Sequence, residues 1–88
     1  MYFAVLIKFR KKPTKDVIAQ NVKLLEMGAK EGVKSHGLFW TLGRYDAVGI
    51  FEAPNEKAAM KHSIRMGDNV STETLVAIPA EEARKLAE

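Results

Sequence analysis

Apolar side chains along this chain gather in short runs rich in aromatic and β-branched residues in some stretches and recur at a spacing of three and four in others. These are the marks of a strand and of an amphipathic helix. The short apolar run Met1 to Phe9 predicts a strand over Tyr2 to Phe9. Pro13-Thr14 then supplies a turn and an N-cap, the threonine hydroxyl accepting a backbone N–H that the first turn leaves unpaired, for a helix that runs to Lys30. Along it Ile18, Val22, Leu25 and Ala29 make one apolar stripe, and Gly32 stands where a C-terminal stop belongs. From Leu38 to Pro54 two apolar runs hinge on Gly43-Arg44 and predict a β-hairpin, with strands over His36 to Leu42 and Asp46 to Ala53.

Pro54-Asn55 opens a second helix that Gly67 closes, and Val70 to Ile78 is a fourth strand. Pro79-Ala80-Glu81-Glu82 begins a short C-terminal helix, with proline in the first turn and acids near the positive end of the helix dipole. The order β-α-β-β-α-β plus a tail helix predicts an α+β, ferredoxin-like fold, in which two helices cover one face of a four-stranded antiparallel sheet. No repeat, low-complexity tract or linker interrupts it, so residues 1–88 are expected to form a single domain.

Strand parity then sorts side chains onto two faces. One set holds Tyr2, Ala4, Leu6 and Lys8, then His36, Leu38, Trp40 and Leu42, then Val48, Ile50 and Glu52, then Glu73, Leu75 and Ala77. Ionisable groups are costly to bury unpaired, so this set is expected on the face the helices leave open. The other set holds Phe3, Val5, Ile7, Phe39, Phe51, Val76 and Ile78 beside the small residues Gly37, Ala47, Gly49 and Ala53, and suits the covered face. Leu6, Leu38, Trp40, Leu42, Val48, Ile50 and Leu75 would leave the open face too apolar for a monomer, and a second copy packed sheet to sheet is the simplest cover. The expected assembly is a homodimer, or a larger homo-oligomer, of the dimeric α/β barrel type.

Gly43-Arg44-Tyr45-Asp46, with Trp40-Thr41-Leu42 before it, Glu52-Ala53-Pro54 after it and Thr72-Glu73-Thr74-Leu75 in the last strand, resembles the GYD domain family. The resemblance spans Tyr2 to about Ile78. It departs from the family at Lys57, where a more acidic helix start is usual. It implies a ferredoxin-like fold of the dimeric barrel type in a small prokaryotic protein, and it implies no activity, because none is established for the family.

Composition narrows the picture further. The chain of 88 residues has no cysteine, so neither a disulfide nor a thiolate metal site can reinforce a small core, which again favours self-association. The lack of cysteine fits the cytoplasm, the expected location. The apolar start is too short to span a bilayer and no small-residue cleavage site follows it, so no membrane association is expected. Net charge is +3, concentrated in Lys8, Arg10, Lys11, Lys12 and Lys15. Without interleaved aromatics this cluster reads as a solvated loop, and nucleic acid is not an expected partner.

Candidate chemistry is sparse. Glu52, between Ile50 and Pro54 on the open face, must be paired, protonated or wet, and a raised pKa would suit it to general-base work; an ion pair with Lys8, or with a neighbour across the dimer, is the plainer reading. Glu73 and His36, together with Tyr2, Trp40 and Lys8, are candidates to line a small-molecule pocket. Tyr45 and Asp46 join them as ligand-binding candidates at the hairpin, where Asp46 is expected to accept turn N–H groups or to pair with Arg44. His62, among Lys61, Ser63 and Arg65, reads as solvent-facing, and Met27, Met60 and Met66 as helix residues packed in the core. His36 and His62 have no ligand-like spacing, and no phosphate loop or nucleophile motif is present, so neither a metal nor a cofactor is expected. Two functions fit: a non-catalytic small-ligand-binding or regulatory module, or a cofactor-free enzyme, isomerase- or monooxygenase-like, with Glu52 or His36 as general base.

Overall fold

The computed structural model describes residues 1–87 as β1 (Tyr2–Phe9), α1 (Lys15–Lys30), β2 (Lys34–Trp40), β3 (Ala47–Glu52), α2 (Glu56–Met66), β4 (Val70–Ala77) and α3 (Ala80–Leu86). The strands form one antiparallel sheet in the order β2-β3-β1-β4, the ferredoxin-like arrangement. Helix ends follow the expected chemistry. Val17 N–H donates to Thr14 Oγ1 at 3.3 Å, and Ala58 N–H to Asn55 Oδ1 at 2.9 Å. At the far end of α1, Gly32 turns left-handed at φ 91°, so that its N–H reaches Ala29 O at 3.1 Å while Val33 N–H reaches Gly28 O at 2.9 Å. This paired bonding closes the orphan carbonyls of the last turn. Gly43, at φ 103°, makes the reversal between β2 and β3.

One device in β2 changes the faces. Ser35 opposes Phe51 and Gly37 opposes Ile50, so His36 is an extra residue in a β-bulge. Beyond it the parity inverts. Leu38 partners Gly49 and Trp40 partners Ala47, both on the helix side, while Phe39 partners Val48 on the open side. The expected placements of Gly37, Leu38, Phe39 and Trp40 are therefore reversed, and Leu42 lies beyond the strand, fully exposed. The other three strands keep the expected parity: Tyr2 opposes Glu52 and Ala77, and Leu6 opposes Val48 and Glu73.

The core is thin. Phe3, Val33, Phe51 and Ala53 form its buried centre, with Val5, Leu25, Ala58 and Ala59 packed against it. In α1 the buried position is Gly28, not Ala29, which is exposed; Met66 is buried, but Met27 and Met60 are exposed, contrary to expectation. Val76 and Ile78, expected beneath the helices, are exposed at the β4 edge and just past it. Buried Asn69 ties the start of β4 to α1, its Nδ2 donating to Asn21 Oδ1 at 2.9 Å and Gln20 Oε1 at 3.3 Å. The tail helix α3 forms as expected and buries no side chain.

Candidate functional site

The open face of the sheet carries polar pairs at its two ends. At one end Tyr2 and Glu52 are register partners, the Tyr2 and His36 rings lie 5.5 Å apart, and His36 Nε2 donates to Glu52 Oε1 at 2.9 Å. The bulge that inverts Trp40 is also what leaves His36 over β3, within reach of Glu52. That hydrogen bond from His36, aided by the charges of the N-terminal amine and Lys34, holds the Glu52 carboxyl below its ordinary range. The expected raised pKa is thus reversed, and the partner is His36 in place of Lys8.

At the other end Tyr45 Oη donates to Glu73 Oε2 at 2.6 Å, a bond that raises the tyrosine's pKa and keeps it a donor. These two residues, with Lys8, Arg44, Leu6 and Ser71, line a shallow hollow of about 170 Å³. Among the described residues Arg44 pairs with no carboxylate; its guanidinium lies 5.8 Å from the Tyr45 ring centre. Asp46 is structural. Its carboxylate accepts from Phe9 N–H at 2.8 Å and its own N–H donates to Ile7 O at 2.8 Å, tying the hairpin to the end of β1. Tyr2 and Lys8 are six residues apart on one strand, roughly 20 Å. The two polar clusters therefore cannot hold one small molecule between them.

The larger space lies beneath the helices. An apolar cavity of about 210 Å³ is floored by Phe3, Val5, Ile7 and Phe51 of the sheet and roofed by Val17, Ile18, Val22 and Leu25 of α1 with Ala59, His62 and Met66 of α2. Leu38 and Trp40 complete it because the bulge turns them inward. The space exists because the two layers carry too little side chain to fill it: β3 offers Ala47 and Gly49 to the covered face, and α2 offers Ala59. A dry cavity of roughly 150 Å³ is enough to take up a benzene-sized molecule. Ile18 and Val22 are 37% and 46% exposed, and Leu38 and Trp40 are 39% and 59% exposed, although all four line the cavity. It therefore opens to solvent between α1 and the β2 edge, with Trp40 stacked edge-on to Phe9 at 5.1 Å beside that opening.

His62, expected in solvent, is half-buried and lines the same cavity. Its ring packs on Gly28, where an added Cβ would lie 2.6 Å from Nδ1, and tilts against Phe51 at 6.2 Å. Nδ1 is buried without a partner among the described residues, and burial, with the nearby Arg65 charge, pushes the imidazole pKa down. Arg65 itself donates to Glu31 at 2.7 Å, bracing α2 against the end of α1 and lowering the Glu31 pKa. The signal for this burial was Gly28, a helical position with no side chain to hold a neighbour away. Among the described residues no group of three or more His, Asp and Glu is placed to hold a metal ion, and no helix is long and apolar enough to cross a membrane.

The sequence profile of the GYD domain matches residues 9–87 of the 88-residue chain. No curated protein matches the chain.

Proposed function

The chain belongs to the GYD domain family, whose function is uncharacterised, and from that premise we propose that it is a homo-oligomeric module that binds a small molecule in the cavity between its helices and its sheet. The cavity carries the reading: it is apolar, large enough for a ring or short chain, and open on one side. A sensory or regulatory role requires no more than reversible occupancy of that space. The lack of cysteine suits such a module to the reducing cytoplasm.

The open sheet face supports the oligomer. After the bulge is taken into account it presents Leu6, Phe39, Val48, Ile50 and Leu75, of which Phe39 is 67%, Leu75 50% and Ile50 41% exposed. This apolar centre lies between the His36–Glu52 and Tyr45–Glu73 pairs, the apolar-core, polar-rim pattern of an interface. General-base catalysis gains no support. Glu52 and His36 are exposed, close on each other, and the carboxyl is a weaker base than a free one.

Native mass spectrometry of the freshly purified protein tests both parts. A dimer or larger even assembly carrying a small extra mass is the expected result. A bare monomer contradicts the proposal.

A further inference from the structure

The opening of the cavity adjoins the most cationic segment of the chain. Phe9 and Pro13, which line the cavity, bracket Arg10, Lys11 and Lys12, and Lys15 follows before Val17 and Ile18 return to the lining. Asp16 is the only carboxylate in this stretch, so the four cations less that acid equal the whole chain's net charge of +3. The remainder of the protein is balanced, and its excess charge sits beside the one deep apolar space described.

Three of these four cations are also uncommitted. Arg10 Nε donates to Val70 O at 3.3 Å, next to the cavity, while among the described residues Lys11, Lys12 and Lys15 pair with no carboxylate. All three are exposed. Thr14 caps α1 between them, and the positive end of that helix dipole adds to the same local field.

We propose that the molecule bound is an amphiphilic organic anion, its apolar body in the cavity and its acid group held outside by Lys11, Lys12 and Lys15. The inference rests on the cavity being a binding site and adds the class of ligand. A cavity of about 210 Å³ admits one short alkyl chain or one aromatic ring, not a two-chain lipid. The ligand is therefore a soluble carboxylate, or an acid of similar size and charge, and not a membrane surface.

Three probes of one chain length separate the parts of this claim: octanoate, octylammonium and 1-octanol. Trp40 is the only tryptophan, so its emission reports occupancy. Octanoate is expected to bind about tenfold more tightly than octylammonium, the combined effect of several exposed charge contacts. Replacing Lys11, Lys12 and Lys15 together by alanine should abolish that difference while leaving 1-octanol affinity unchanged. In the unaltered protein, raising sodium chloride to about 0.5 M should weaken octanoate alone, a test independent of the variant's folding. If 1-octanol binds and the two ions tie, the anion claim is overturned and the cavity stands. If none of the three binds, both are overturned.

Discussion

Replacing Ala59 by leucine probes the space between the layers directly. Ala59 lies on α2, packs against the buried centre and lines the cavity. Leucine adds three carbons at that point. At about 0.8 kcal/mol per buried methylene the transfer gain is up to about 2.4 kcal/mol. Side-chain ordering takes back about 0.5–1 kcal/mol, and the helix preference for alanine a few tenths. The net expectation is a stabilisation of about 1–1.5 kcal/mol. For a chain of 88 residues, an unfolding entropy of about 2.1 cal/mol/K per residue converts this to a rise in Tm of roughly 5–8 °C. Thermal unfolding followed by circular dichroism, at matched protein concentration because association raises apparent stability, measures it. The same variant should lose 1-octanol binding. A fall in Tm of about 5 °C or more would mean that the layers leave no space there, since inserting the same carbons into a close-packed interior costs about 1–3 kcal/mol.

Four further outcomes follow from named contacts. Asp46→Ala strips Phe9 N–H of its acceptor and should cost about 1–3 kcal/mol in urea unfolding, while Asp46→Asn, which keeps an acceptor oxygen, should cost clearly less. Ile50→Asp puts a charge into the apolar centre of the open face and should shift sedimentation toward monomer with the far-ultraviolet spectrum intact. Because the folded state holds the His62 pKa below the ordinary imidazole value, the unfolded chain binds the proton first. That contribution to stability is present above the ordinary value and is lost as pH falls through it, so His62→Phe should flatten the urea midpoint between about pH 5 and 7. The Glu52 carboxyl is also held low, so its contribution is present above the ordinary carboxylate range and is lost as pH falls through the lowered folded value; Glu52→Gln should lower the urea midpoint at pH 7, and by progressively less as the solution is acidified.

The order of elements, the helix caps at Thr14 and Asn55, the stop at Gly32 and the turn at Gly43 were all legible in the sequence, because each rests on local chemistry. So were the faces of β1, β3 and β4, whose pairing with one another has no bulge and keeps side-chain parity from end to end. The faces of β2 were not. One unpaired residue, His36, inverts everything after it, and its only trace in the sequence is Gly37, a glycine inside a strand pattern, which is a mark of a bulge. Trp40 thereby moved from the open face to the cavity. The pairing of Glu52 with His36 was equally out of reach, since parity gives the face of a side chain and not its neighbour. The cavity depends on the difference between two layers' volumes, which no single segment encodes.

Chemical-shift mapping during a titration with octanoate reports in one experiment whether a molecule binds the protein and where it sits. Saturable shifts are expected at Val5, Leu25, Leu38, Phe51 and the Trp40 indole, all lining the cavity, with the open-face residues Ala4, Ile50 and Leu75 unmoved. Shifts confined to the open face, or none at any attainable concentration, would contradict binding in the cavity.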